Sequence, residues 1–235
     1  MTNFILVQGA FRGGWSWQKV RRILQAHGCE VFAPSLTGAG ERKHLNNAGI
    51  TLEIWVADIV NLIEYEDLSN VILVGHSQGG IVIQAVAEQI PEKIAHLFFL
   101  DAPVLCDGEA AVDVLPQEVR EKFGETLPDR MIKPFPLKPS NGFSAEETEW
   151  INARLTAVPT NPSLAKLSLK NPLAAQLART FVFCTETPPM FPASFTRKRF
   201  DAENVPYRLI EAGHDCILSQ PQIVADLLIE IAVQK

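Results

Sequence analysis

The chain has 235 residues, 47% of them hydrophobic and 20% charged, which is an ordinary globular composition with ample length for one large core and no need for a second domain. The formal net charge is −6 and no basic run occurs, so neither nucleic acid nor an anionic membrane surface is an expected partner. The four cysteines are scattered without a CxxC pair, which predicts reduced, mostly buried thiols. No apolar stretch has the length of a secretion signal or a membrane span. We therefore expect a cytoplasmic protein.

The first part of the chain alternates short apolar runs with amphipathic segments of helical length. Strands that are apolar along their whole length are buried on both faces, so this alternation predicts a parallel sheet covered by helices. A polar, glycine-rich loop is predicted over Ser35–Ile50. The predicted strands are Phe4–Val7, Val31–Ala33, Val71–Val74 and Ile94–Leu100, and the predicted helices are Trp15–His27, Leu52–Tyr65 and Ile81–Ile90.

A serine lies at the tip of the tight turn between the third of these strands and the helix after it. The turn reads Gly75-His76-Ser77-Gln78-Gly79 and matches the pattern Gly-x-Ser-x-Gly. Between a strand and a helix this pattern is typical of a nucleophile elbow, in which the serine backbone is strained and the glycines avoid collisions. The alternative is a glycine-rich turn that happens to hold a serine, and the flanking elements argue against it. We therefore predict that Ser77 is a catalytic nucleophile.

The alternation stops between residues 102 and 179. This part contains scattered prolines and only short helical stretches, such as Ala145–Leu155. It is too long for a plain connection, so we expect a mostly helical cap inserted above the sheet within a single domain that spans residues 1–235. The aromatic residues of the cap could line the site or form only its own core; they are Phe123, Phe135, Phe143 and Trp150.

The alternation then resumes and brings the predicted sheet to about six strands. A serine hydroxyl needs a base within hydrogen-bond reach, and functional side chains of such a sheet gather at the carboxyl ends of its strands. His214 follows the last predicted strand and is therefore the predicted base, whereas His76 is expected to point away from the serine. The elements predicted here are the strands Thr180–Cys184 and Tyr207–Ile210 and the helices Phe191–Phe200 and Pro221–Val233.

Four motifs, taken in order, resemble those of the α/β-hydrolase superfamily. Within it the chain is similar to the branch of plant methylesterases and hydroxynitrile lyases and their bacterial esterase relatives. The similarity covers nearly the whole chain outside the interior of the cap, and it implies an α/β-hydrolase fold. The motifs are ILVQGAFRGGWSW, SLTGAGERKHL, GHSQGG and EAGHDCILSQP.

The resemblance also implies an oxyanion hole made by two backbone N–H groups. One belongs to the residue after the nucleophile, here Gln78, and the other to the loop after the first strand, here Ala10. Relatives usually have a His-Gly pair in this loop, where the present chain has Gln8-Gly9. We expect the hole to persist while the hydrogen bonding of the loop differs.

The acid that would orient the histidine is absent from its usual place. The plant relatives carry an aspartate after the penultimate strand, where this chain has Thr187. We prefer Asp101 as the acid. It ends the strand that follows the nucleophile helix, where some α/β-hydrolases place their acid, and pairing with the histidine would offset the cost of burying a carboxylate. Glu186 is the second choice and an acid from neither position is the third. Asp101 could instead be only a helix N-cap.

These residues predict a serine hydrolase that cleaves small carboxylic esters through an acyl-enzyme. Ser77, His214 and Asp101 would form its catalytic triad. The expected partner is a small-molecule ester, and a homodimer is left open. No cofactor or metal is expected, since no group of His, Asp or Glu has the spacing of metal ligands.

Two other functions stay open. The first is a ligand-binding protein on a hydrolase scaffold with weak or lost catalysis, which is suggested by Gln8 and by the displaced acid. The second is a hydroxynitrile lyase, which is disfavoured because lyases of this family carry threonine and lysine where this chain has Gly9 and Asp215.

Overall fold

The computed structural model describes residues 2–123, 127–139 and 142–233. Its strands are β1 (Asn3–Val7), β2 (Glu30–Phe32), β3 (Val71–His76), β4 (Ile94–Leu100), β5 (Met131–Ile132), β6 (Val158–Pro159), β7 (Ala178–Cys184) and β8 (Arg208–Ile210). Six of them form one sheet in the order β2-β1-β3-β4-β7-β8, and every neighbouring pair is parallel. The remaining two, β5 and β6, pair in antiparallel fashion. The predicted parallel sheet is confirmed.

Helices alternate with the strands of the main sheet and also occupy the segment between β4 and β7. The predicted helix Trp15–His27 is wrong at its start, because Gly14–Trp17 forms a 3₁₀ turn before the α-helix begins. The helices are α1 (Gln18–Ala26), α2 (Leu52–Tyr65), α3 (Gly79–Gln89), α4 (Gln117–Phe123), α5 (Ala145–Asn152), α6 (Asn161–Leu164), α7 (Pro172–Ala175), α8 (Pro192–Glu203), α9 (Cys216–Ser219) and α10 (Pro221–Val233).

Side chains of the strands alternate between two apolar cores, one on each face of the sheet. Ile5 and Leu73 belong to the core that contains residues of α2 and α3. Phe4 and Ile72 belong to the core that contains residues of α1 and α10. Since each strand places successive side chains on opposite faces, strands that are apolar throughout are explained by burial on both sides. Because all six strands are parallel, their carboxyl ends lie at the same edge of the sheet.

In its described residues, the segment between β4 and β7 contains four short helices and the small antiparallel sheet. The predicted helix Ala145–Leu155 ends earlier, at Asn152. Phe143 is buried with the core of α1 and α10, while the side chain of Phe123 lies outside the described residues. The division into one domain with an inserted cap stays a prediction.

The expectation of mostly buried thiols is correct for only half of the cysteines. Cys184 and Cys216 are buried, but Cys29 is half-buried and Cys106 is exposed, because it lies at the start of a surface turn after β4. All four are free thiols. None of the described helices is long and apolar enough to cross a membrane.

Candidate active site

The turn between β3 and α3 has the geometry predicted for Ser77. The serine has a φ of +51°, and its N–H donates to the Leu100 carbonyl oxygen at 3.1 Å. A Cβ on Gly75 would lie 2.7 Å from the carbonyl oxygen of Gly79, and a Cβ on Gly79 would lie 2.6 Å from that of Val7. These distances are shorter than van der Waals contact, so both positions require glycine and the serine is held at the tip of the turn.

Ser77, His214 and Asp101 form one hydrogen-bonded chain. His214 Nε2 lies 3.0 Å from Ser77 Oγ, and His214 Nδ1 lies 2.6 Å from Asp101 Oδ2. His214 lies in the loop between β8 and α9. Its ring packs edge-on against Phe191, with the ring centroids 4.7 Å apart. This is the nucleophile–base–acid geometry that activates a serine hydroxyl.

Asp101 is buried, and both of its carboxylate oxygens are hydrogen-bonded. Its side chain accepts hydrogen bonds from the Cys184 N–H at 3.1 Å and from Thr187 Oγ1 at 2.5 Å, in addition to the His214 contact. Burial would raise its pKa, but the hydrogen bond and charge of His214, together with the two other donors, bring the pKa below its ordinary value. The carboxylate is therefore ionised at neutral pH and orients the base.

The alternative acid takes no part in the hydrogen bonds described for His214. Glu186 is exposed, and its N–H donates to the Ala212 carbonyl oxygen at 3.1 Å. Thr187, which stands where the plant relatives have their aspartate, donates to Asp101 instead of competing with it. The structure thus brings Asp101 to His214 and leaves Glu186 at the surface. Asp101 begins no helix in the structure, so the N-cap interpretation is wrong.

The two predicted oxyanion donors flank the serine. Ala10, Gln78 and Ser77 line the same cavity, and a Cβ on Gly9 would lie 2.8 Å from the Ser77 Cβ. Within the described part of the chain, neither the Ala10 N–H nor the Gln78 N–H donates to a backbone carbonyl. The Gln78 side chain donates to Ser163 Oγ at 2.9 Å, which orients this residue from the segment above the sheet.

Gln8, which stands where the resemblance implies a histidine, has partners for its polar atoms. With its amide oriented to satisfy both neighbours, it donates to the Pro34 carbonyl oxygen and accepts from the Leu36 N–H, each at 3.0 Å. The residue is 2% exposed. Gln8 therefore ties the loop after β1 to the loop after β2, and this departure from the family pattern is structurally compensated.

His76 was expected to point away from the serine, and this expectation is wrong. Its Nε2 lies 2.8 Å from the His214 carbonyl oxygen, and the centroids of the two imidazole rings are 4.8 Å apart. The alternation along β3 could have shown this, because His76 shares a face with Ile72 and Val74, the face on which α9 packs. Burial, followed by the charge of His214, lowers the pKa of His76 from 6.5 to about 4.

The low pKa of His76 predicts a pH-dependent stability. The unfolded chain protonates this residue below 6.5 and the folded chain only below about 4, so stability falls as the pH drops through this window. We expect the free energy of unfolding to decrease by about 2 kcal/mol from about pH 7.5 to about pH 5 on account of His76. Urea unfolding of the wild type and of His76→Phe at both pH values measures the effect.

The matched control for this prediction is His44→Gln, because His44 is exposed. We expect this variant to keep the wild-type pH dependence, whereas His76→Phe should lose most of the decrease. Asp101 and Asp215 do not interfere, since the pKa of each is held below its ordinary value and these carboxyls protonate only at lower pH. An unchanged decrease in His76→Phe would contradict the assignment.

The carboxylate of Asp215, directly after the base, makes its described hydrogen bonds with Arg12 rather than with Ser77. Its carboxylate binds the Arg12 guanidinium with distances of 3.0 and 2.8 Å to Oδ1 and 2.9 Å to Oδ2. Burial would raise the pKa of Asp215, but Arg12 and, to a smaller extent, His214 and His76 hold it below its ordinary value. The sequence offered no sign of this pair, because its members lie 203 residues apart.

A cavity of about 510 Å³ opens above the serine. Ser77, His214 and Asp215 lie among its lining residues, and most of the others are apolar. Of the aromatic residues predicted in the cap, Phe135 lines the cavity, whereas Trp150 packs against Trp15 with the ring centroids 5.3 Å apart. The apolar lining consists of Ala10, Phe11, Pro103, Ala111, Val112, Leu115, Ile132, Phe135, Pro136, Leu137, Val158, Pro188, Met190, Phe191 and Pro192.

No metal centre emerges from the residues that the structure describes. In residues 2–123, 127–139 and 142–233, no group of three or more His, Cys, Asp or Glu side chains could hold a metal ion. The polar groups that line the cavity include Ser77, His214, Gln78 and Asp215.

A parallel sheet with a serine at a nucleophile elbow and a histidine after the last strand defines an α/β-hydrolase. The model of the Alpha/beta hydrolase family matches residues 4–227, and the chain belongs to this family. This membership confirms the fold class and the resemblance inferred from the motifs.

Known relatives agree with this assignment. The chain is 31% identical over 241 residues to the carbendazim hydrolyzing esterase of Nocardioides sp. (strain SG-4G), covering 97% of this chain and 98% of the relative. It is 28% identical over 251 residues to the putative methylesterase 14, chloroplastic, of Arabidopsis thaliana, covering 98% and 72%. Among solved structures, an extracellular alpha/beta-hydrolase from a Paenibacillus species has a TM-score of 0.81 at 26% identity, with 98% of each chain covered.

Proposed function

We propose that the protein is a serine hydrolase that cleaves small carboxylic esters through an acyl-enzyme intermediate. The observation that carries the proposal is the hydrogen-bonded chain from Ser77 Oγ through His214 to Asp101 at the tip of an elbow. Family membership and the esterase names of its relatives support the same reaction class.

Each residue of the site has its own role in ester cleavage. Ser77 attacks the ester carbonyl while His214 Nε2 takes its proton, and the ionised Asp101 stabilises the resulting imidazolium. The N–H groups of Ala10 and Gln78 stabilise the oxyanion of the tetrahedral intermediate. His214 then gives its proton to the leaving alcohol, and in the second half of the cycle it activates the water that releases the acid.

The cavity supports an apolar acyl group. Its volume of about 510 Å³ suits a small molecule, and its side chains are mainly aliphatic and aromatic. Burial of an apolar acyl group would be favourable there by about 25 cal/mol per Å² of apolar surface. The proposed partner is therefore a small ester of moderate hydrophobicity. We expect the protein to be located in the cytoplasm. A homodimer stays an open prediction.

The two alternative functions receive less support from the site. A binding protein with lost catalysis would have no need for a buried Asp101 that is aligned with the base within hydrogen-bond distance. A hydroxynitrile lyase of this family would carry a lysine after the base, where Asp215 is here engaged by Arg12. Both observations favour ester hydrolysis.

One assay tests the proposal. The protein is incubated with p-nitrophenyl acetate and p-nitrophenyl benzoate, and separately with a fluorophosphonate probe that labels activated serines. We expect turnover of both esters and complete loss of turnover in the labelled protein. Absence of both turnover and labelling would overturn the proposal, and release of cyanide from a cyanohydrin without ester cleavage would favour the lyase.

A further inference from the structure

The ion pair of Arg12 and Asp215 joins the two loops that hold opposite parts of the active site. Arg12 lies two residues after Ala10 in the loop after β1, and Asp215 directly follows His214 in the loop after β8. In the sheet, β1 and β8 are separated by β3, β4 and β7. The oxyanion loop and the base loop therefore follow strands that are not paired directly with each other.

Both members of the pair are almost inaccessible to solvent. Their side chains are 8% and 12% exposed, and the carboxylate is bound through two guanidinium nitrogens. Bidentate geometry fixes the relative orientation of the two groups as well as their distance. Asp215 also precedes helix α9, yet its side chain makes no capping hydrogen bond, and the hydrogen bonds described for its carboxylate come from Arg12.

We propose that Arg12 and Asp215 are positioning residues, whose ion pair sets the placement of His214 relative to the oxyanion donor Ala10. This inference rests on the proposed ester hydrolysis. The base loop has a second anchor at the elbow, where His76 Nε2 lies 2.8 Å from the His214 carbonyl oxygen. The base loop is thus held by two groups from different parts of the fold, Arg12 in the loop after β1 and His76 at the end of β3.

The pair also sets the charge balance around the base. Among the described residues, the charged and titratable groups around His214 include Asp101 from the end of β4, His76 from the end of β3 and Asp215 from its own loop, with Arg12 bound to Asp215 and Lys138 on the wall of the same cavity. In the intact pair the guanidinium compensates the carboxylate of Asp215. Loss of either member therefore leaves an uncompensated charge beside the base.

The test compares Arg12→Met, Asp215→Asn and the double variant with the wild type. We expect each single variant to lower kcat for p-nitrophenyl acetate, and the rate of fluorophosphonate labelling, by at least about tenfold while KM changes less than about threefold. The acid limb of the pH–rate profile should move to higher pH in Arg12→Met, because the remaining carboxylate favours the protonated base. It should move to lower pH in Asp215→Asn, because the remaining guanidinium disfavours it.

The double variant keeps the test decisive if a single variant fails to fold. It leaves no buried unpaired charge, so we expect it to fold, to return the acid limb to its wild-type position and to keep the lowered kcat. Arg12→Lys retains the charge without the bidentate geometry and should keep the acid limb while losing part of kcat. The double variant with wild-type kcat would overturn the inference.

The matched control is Glu230→Gln. Glu230 forms another bidentate pair, with Arg208 at 2.6 and 2.7 Å, which is exposed and lies outside the cavity. We expect this variant to keep wild-type kcat and pH profile. The wild type itself separates the two failures: an active wild type with fully active variants overturns only the positioning role, whereas an inactive and unlabelled wild type overturns the proposed function and this inference with it.

Discussion

Asp101→Asn is expected to lower kcat by about 10⁴-fold, with little change in KM. If the asparagine presents its N–H to His214 Nδ1, the ring loses the tautomer that accepts the serine proton. If it presents its carbonyl oxygen, the tautomer is kept but the negative charge that stabilises the imidazolium is lost. The shape of the side chain is conserved, and its partners Thr187 and Cys184 stay in place. Steady-state kinetics with p-nitrophenyl acetate measure the loss, and near-ultraviolet circular dichroism checks the fold.

The control for this variant is Glu186→Gln, which changes the alternative acid in the same way. Because Glu186 is exposed and Asp101 contacts the base, we expect Glu186→Gln to keep kcat within about twofold of the wild type. The reverse result, with an active Asp101→Asn and an impaired Glu186→Gln, would show that the acid had been misassigned.

Ser77→Ala should have the largest effect of all, a loss of about 10⁶-fold in kcat. The substitution removes only Oγ, keeps the Cβ and leaves the φ of +51° no more strained than before, so stability should change little. Fluorophosphonate labelling should disappear in parallel with turnover.

Non-additivity provides the check on this prediction. Nucleophile and base act as one unit, so Ser77→Ala combined with His214→Ala should be no worse than either change alone. If the second substitution lowered the rate as much again, the two residues would act independently and the covalent mechanism would be wrong.

The sequence predicted the architecture well because its strongest signals are local. Fully apolar strands such as Ile94–Leu100 and the regular spacing of Leu52–Tyr65 reflect burial on the sheet and on one helix face, and both have the predicted bounds. The elbow needed only five residues of sequence, because the steric conflicts at Gly75 and Gly79 arise from backbone atoms that any such turn brings close.

The parts of the site that the sequence predicted poorly depend on contacts between distant segments. Arg12 and Asp215 are 203 residues apart in sequence, and nothing near either residue indicates that they pair. The prediction for His76 is wrong because its surroundings depend on the loop of His214, which is 138 residues away in sequence and packs against the elbow. Asp101 could be proposed only as one of two acids, since the choice depends on which strand end faces His214 in the folded sheet.

The most direct test of the account is the location of the covalent adduct. The wild type, Asp101→Asn and Glu186→Gln are reacted with the fluorophosphonate probe, digested and analysed by mass spectrometry over time. We expect one adduct, on Ser77, that forms rapidly in the wild type and in Glu186→Gln and at least about a hundredfold more slowly in Asp101→Asn. An adduct on another residue, or labelling of Ser77 that is equally fast in all three proteins, would contradict a serine activated by His214 and Asp101.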